Sequence, residues 1–176
     1  VRDNVIRLIR MRNEPGYRCG AVEMNDVSNA LVEGNEFLEN SGAHAVTWDN
    51  VDDSTLSDNY IYRSGASAVV WYRCNRSAIL RNTLYDNQGM HANGLTVYSG
   101  CRDVLVEGNH VSLGASPLAA QDTIGLTIIN NVFDAYGSSN CISLWALHNM
   151  DDVLIACNTL VNSNHSVSWQ AAIYGQ

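Results

Sequence analysis

Apolar and polar residues alternate along most of the chain in short runs, each closed by Asn, Asp, Gly or Ser. Alternation with a period of two predicts half-buried strands rather than helices. One run recurs. The segment Ala30-Leu-Val-Glu-Gly-Asn35 returns, altered, in segments ending at Asn59, Asn82, Asn109, Asn131 and Asn158, at spacings of 24, 23, 27, 22 and 27 residues. Three residues before these asparagines stand Val32, Leu56, Ile79, Val106, Ile128 and Ile155; two residues after them stand Phe37, Ile61, Leu84, Val111, Phe133 and Leu160. Between the asparagines lies a third strand, with Val46, Val69, Leu95, Leu118, Ile142 and Val167 as its core column. The last copy of that strand is read as Ser166–Trp169.

A fixed period of this length is the mark of a solenoid, in which every repeat buries its apolar face against the next. Each coil then has three short strands and three turns, and like strands stack in parallel at about 4.8 Å. The asparagines form a ladder at one corner, each amide bonding the backbone of a neighbouring coil, because a side-chain amide offers both donors and an acceptor. The reading is an all-β chain of six to seven coils in one domain, residues 1–176. Residues 1–25 read as an irregular earlier coil, strand-like over Val5–Ile9, in which no ladder asparagine is identified.

Composition agrees. The chain has 20 Asn, 13 Gly and 16 Ser but 2 Pro, a turn-rich and helix-poor balance. Its formal charge is −8, and all ten basic residues are arginine. An acidic chain without a basic block is a poor partner for nucleic acid or an anionic membrane surface. No apolar run reaches the length of a spanning helix, so no membrane insertion is expected. The chain starts at Val1 and shows no signal peptide, which reads as a mature product or an excerpt.

With these columns in place, the chain resembles the right-handed parallel β-helix superfamily, the pectate-lyase-like repeat proteins. The six segments ending at Asn35 to Asn158, apolar at −3 and +2, carry the resemblance. It implies a right-handed solenoid outside the cell, at its surface or in the periplasm. It also implies polysaccharide laid along the outside of parallel strands, with hydrolase, lyase or epimerase chemistry as the enzymatic option.

The outward positions of the third strand are candidates for that contact. They run through His44, Ser67 and Asn93, then Thr47, Val70 and Thr96, then Asp49, Tyr72, Tyr98, Gln121 and Trp145. Aromatic bodies beside hydrogen-bonding groups suit sugar rings. Tyr72, Tyr98, Trp145, His44, Asn93 and Asp122 are therefore the candidate substrate contacts, and shielding of the solenoid edge is the competing reading of the aromatics. Hydrolysis needs two carboxyls roughly 5–10 Å apart, but Asp49 and Asp122 lie three coils apart. The pairs Asp52-Asp53 and Asp151-Asp152 read as a solvated turn. With no lysine, base chemistry would fall to Arg73 or His91 near Asp49, the candidate catalytic group. No metal ligand set is visible, and no cofactor is expected, although an Asp-rich turn could take calcium.

Cys74 and Cys101 each lie eight residues before a ladder asparagine, so they should stack on adjacent coils, either paired or as free core thiols. The sequons at Asn75 and Asn164 are potential glycosylation sites. Leu31, Leu80, Leu105, Ile129 and Leu154 point outward on the strand before the asparagine and ask for a cover. The leading functional reading is an extracellular carbohydrate-binding or polysaccharide-processing β-helix. The alternative is a structural or adhesive surface protein that self-assembles end to end or through that leucine face.

Overall fold

The apolar columns fold as strands, and each copy pairs with its neighbours in the register the repeat dictates. The computed structural model describes residues 1–7, 20–40, 44–87, 92–113, 115–135, 140–162 and 172–176. Three parallel sheets result. A leading sheet of six strands precedes the asparagines: Leu31–Glu33, Thr55–Ser57, Ala78–Leu80, Arg102–Glu107, Ile124–Ile129 and Asp151–Ala156. A trailing sheet of seven follows them: Val5–Arg7, Glu36–Leu38, Tyr60–Tyr62, Thr83–Tyr85, His110–Leu113, Val132–Ala135 and Thr159–Val161. The third sheet, also of seven, comprises Gly20–Ser28, His44–Asp52, Val69–Tyr72, Leu95–Tyr98, Leu118–Gln121, Ile142–Trp145 and Ile173–Gly175. Six leading strands bound five complete coils, slightly fewer than the six to seven expected.

Register is as the columns require. Val32 faces Leu56, which faces Ile79, Val106 and Ile128 in turn. Phe37, Ile61, Leu84, Val111 and Phe133 do the same in the trailing sheet. All ten side chains are fully buried. In the third sheet Trp48 pairs with Trp71, and the two indoles stack inside the solenoid with centroids 4.6 Å apart and planes 9° apart. The end coils depart from expectation. The strand that pairs with Ile142–Leu144 is Ile173–Gly175 rather than Ser166–Trp169, so Ile173 replaces Val167 in the core column; residues 163–171 lie outside the described residues. The first coil does have a ladder asparagine: Asn4, with Ile6 two residues on and paired to Phe37.

The ladder therefore runs from Asn4 to Asn158. From Asn4 to Asn131, each asparagine donates its backbone N–H and its side-chain Nδ2 to the Oδ1 of the asparagine one coil on, at 2.8–3.1 Å. Nδ2 also donates to a carbonyl two residues earlier, as Asn82 does to Leu80 O, and to one in the preceding coil, as Asn82 does to Leu56 O. This satisfies a backbone N–H that leaves the sheet pattern at the corner while buried, which would otherwise be costly.

The corner itself is a left-handed residue. Asp3, Gly34, Asp58, Arg81, Gly108, Asn130 and Cys157 all have φ between 52° and 67° immediately before a ladder asparagine. Charge is paired between coils at this corner and at the other two. Arg81 bonds Asp58 of the previous coil, Arg76 bonds Asp53, and Arg63 bonds Asp86 of the next coil. The Arg76 and Arg81 guanidiniums hold the Asp53 and Asp58 carboxyls below the usual carboxylate range.

Cutting one ladder rung should expose its value. Asn82→Ala leaves the Asn59 N–H buried without an acceptor and should destabilise the chain by about 3 kcal/mol in urea titrations. Asn25→Ala, on an exposed position, should stay within about 0.5 kcal/mol of wild type. A second expectation concerns acid. Because the folded-state pKa values of Asp53 and Asp58 are lowered, their stabilisation is complete above the unfolded value of about 3.9 and fades as pH falls through the folded values. The melting temperature should therefore drop below about pH 4. That drop should shrink in 1 M salt, because these pairs are exposed.

Candidate functional site

The outward face of the third sheet is not the open polar surface the alternation implies. Thr47, Val70, Thr96, Ala119 and Ser143 are at most 4% exposed. Small side chains here admit close neighbours: a Cβ on Gly20 would lie 2.7 Å from the Thr47 N. The adjoining column is tied inward as well. His44 Nδ1 lies 2.7 Å from Ser67 O, Ser116 Oγ lies 3.0 Å from Ser143 Oγ, and the Asn93 carbonyl accepts from Asn87 Nδ2 at 3.1 Å. His44 and Asn93 are half-buried, so they contribute little to an open surface.

The C-terminal rim of that sheet carries Asp49, Tyr72, Tyr98, Gln121 and Trp145 on successive strands, each half-buried like His44 and Asn93. Asp49 is in register with Tyr72, Tyr72 with Tyr98, and Gln121 with Trp145. The Tyr72 and Tyr98 rings tilt together, with centroids 6.1 Å apart, and partial burial pushes the Tyr98 hydroxyl up.

Two departures from the repeat hollow out this rim. One residue separates Tyr72 from Cys74, but two separate Tyr98 from Cys101; the extra residue is Gly100, at φ 86° with nothing within 4 Å of where a Cβ would stand. After Trp145 the turn is longer still, and the Leu147–Asn149 loop folds back onto Asp122. Asp122 Oδ1 accepts from the His148 and Asn149 N–H groups at 2.7 and 3.3 Å, and Gln121 Nε2 donates to Oδ2 at 3.2 Å. The His148 N–H above all holds this carboxyl below its usual range. Between these features lie two adjoining hollows of about 450 and 500 Å³. The first is walled by Gln121, Asp122, His148 and Asn149, and the second by Asn50, Arg73, Asn75 and Arg76; Ser99, Gly100 and Arg102 line both.

The candidate catalytic residues meet only in part. Arg73 and Asp49 form an ion pair at 2.6 Å. His91 lies outside the described residues, as does Asn164. Asp49 and Asp122 remain three strand spacings apart, about 14 Å. Asp53 is held by Arg76, while Asp52 Oδ1 accepts from Asn75 N and Nδ2 at 3.1 and 2.9 Å. The Asn75 amide of the first sequon is thus engaged within the fold. Among the described residues no group of three His, Cys, Asp or Glu side chains is placed to hold a metal ion.

The outward leucines do not form one stripe. Leu31, Leu105 and Leu154 share a register column with Thr55, Ala78 and Thr127; Leu80 and Ile129 stand in another with Glu33, Ser57 and Glu107. Of the five, Leu154 alone is exposed, at 52%. Cys74 and Cys101 do stack on adjacent coils, and both are free. The Cys74 N–H donates to Cys101 Sγ at 3.3 Å, and the thiols of Cys74 and Cys101 donate to Tyr72 O and Tyr98 O. The hydrogen bond to Cys101 and burial push the Cys74 thiol well up.

Sequence reasoning missed Arg102, Gly100, His148 and Asn149 as part of the rim. The signal was the two 27-residue spacings, which mark the coils with added turn residues.

A model of the right-handed β-helix region matches residues 17–160. The chain belongs to the right-handed β-helix family. Comparison with curated proteins and with solved structures gave no match. The family fixes the solenoid and its hand; many functions share such a fold, so function has to be argued from the site.

Thiol labelling checks this part of the β-helix. Cys157 is exposed whereas Cys74, Cys101 and Cys141 are buried. Under native conditions a maleimide should label Cys157 in minutes and leave the other three unmodified until denaturant is added. Peptide mapping by mass spectrometry reads the difference.

Proposed function

We propose that this β-helix binds an extended carbohydrate chain along the C-terminal rim of its third sheet, outside the cell. One observation carries the reading: two hollows adjoin at the rim, Gln121 lines the first, and half-buried Tyr72, Tyr98 and Trp145 stand at the same strand ends, each on its own strand. Aromatic faces offer apolar platforms for sugar rings, and the flanking amides and guanidiniums offer hydrogen bonds. Strands repeating at about 4.8 Å set such platforms in a line across coils. A line of platforms fits a polymer better than a compact metabolite.

The reading is binding rather than cleavage. Asp49 is neutralised by Arg73, and Asp122 is committed to its loop, so neither is free to act as an acid or base at a glycosidic bond. A tilted aromatic run on the trailing sheet, where Tyr85 contacts both Tyr60 and His110, is the weaker candidate because neither rim hollow is lined by these residues.

The test is a glycan array followed by calorimetry on the best ligand. Tyr98→Ala and Trp145→Ala should each weaken binding about fivefold, since an aromatic platform is worth roughly 1 kcal/mol. Their circular dichroism should match wild type. No binding to any arrayed glycan, or full affinity in both variants, would refute the assignment.

A further inference from the structure

The exposed arginines differ in a way that bears on what the rim binds. Arg63, Arg73, Arg76 and Arg81 each have a carboxylate within 4 Å on an adjacent coil. Arg102 has none. Its strand neighbours across the leading sheet are Asn75 on one side and Ile124 on the other, and neither carries charge. Among the described residues Arg102 makes no ion pair, it is exposed, and it lines both hollows. The space beside it is kept open by Gly100, the extra turn residue.

An unpaired guanidinium at the junction of two hollows has five N–H donors in a planar fork, the geometry that matches an oxyanion. The surroundings limit how many such groups are welcome. Asp103 lines the second hollow and Asp122 the first, the neighbouring arginines are already neutralised, and the whole chain carries −8. A continuous polyanion would meet both of those carboxylates, and like charges brought together are costly.

We infer that the carbohydrate taken by this rim is neutral along most of its length and carries isolated anionic substituents, one of which seats its oxyanion on Arg102. The inference rests on the carbohydrate reading above and adds the charge pattern of the ligand. The shared chemistry is a single oxyanion, and either a carboxylate or a sulfate ester supplies it.

Matched oligosaccharides separate the possibilities. Four versions of the backbone selected by the array are compared by calorimetry: neutral, one carboxylate, one sulfate, and a carboxylate on every residue. Wild type should bind a singly charged version about tenfold more tightly than the neutral one, a difference of about 1.4 kcal/mol. Whichever singly charged arm gains identifies the source of the oxyanion. The fully charged version should lose that gain. Arg102→Gln should erase the preference for the singly charged version, and a circular dichroism spectrum that matches wild type shows the variant is folded. Equal affinity for neutral and singly charged versions, or tightest binding of the fully charged one, overturns the inference and leaves the carbohydrate reading standing. An Arg102→Gln protein that keeps the preference overturns it too. Absence of binding by every version overturns both.

Discussion

The corner between the leading and trailing sheets is the constraint on which the rest of this β-helix depends. There the chain turns through one left-handed residue, and a buried backbone N–H loses its sheet partner. For a non-glycine residue that conformation costs roughly 1–2 kcal/mol. The asparagine ladder offsets the cost, because one amide accepts two hydrogen bonds from the coil before and donates to carbonyls around it. The ladder also fixes register. A one-residue slip would turn Phe37, Ile61 and Leu84 outward and break every rung at once. Stacked rungs therefore hold the three sheets in step, and the sheets hold the rim.

The rim becomes a site where the repeat is broken, at Gly100 and at the Leu147–Asn149 loop. Both breaks occur on the turn between the third and leading sheets, where chain can be added without disturbing the ladder. Asp122 illustrates the division of labour. It stands on the rim like a ligand-binding carboxylate, yet its oxygens are used to pin the loop that walls the first hollow. The cysteines show the same economy in the interior. Cys74 and Cys101 occupy the buried position at the other end of this turn, and there a thiol does what the asparagine does at its corner. It accepts a backbone N–H from the coil before and donates to a carbonyl of its own coil.

The sequence was most legible where one residue does one repeated job. The −3 and +2 columns and six of the seven ladder asparagines could be read directly, because burial at those sites admits few residue types. Asn4 escaped because 31 residues separate it from Asn35, beyond the period of the other coils. The left-handed corner was only half legible. Gly34, Gly108 and Asn130 announce it, but Arg81 and Cys157 occupy the same backbone geometry without any local preference for it. The outward face misled for a different reason. Alternation tells which side a residue faces and not whether other chain covers that side, so Thr47 and Thr96 read as surface and are buried. Arg102 was invisible as a rim residue because its distinction is relational: it lacks a carboxylate that its counterparts have, and only register shows which residues stand beside it.

That relational pattern also explains how an acidic chain keeps arginine as its sole strong cation. Four of the exposed arginines sit at left-handed turn positions, where φ is between 49° and 56°, each beside a carboxylate on an adjacent coil. Stacked turns bring side chains of the same corner about 4.8 Å apart, so a column of like charge would repel along the whole solenoid. Interleaving Arg63 with Asp86, Arg76 with Asp53 and Arg81 with Asp58 removes that repulsion. A planar guanidinium also reaches a carboxylate one coil away with two donors at once, as Arg76 and Arg81 do. Lysine offers only a point charge at the same distance. The surface is thus organised as short neutralised columns, and a charge left out of that organisation stands against a nearly balanced background. Such a background makes a single cation readable by a ligand, whereas in a basic patch one more arginine would change affinity without changing which ligand is chosen.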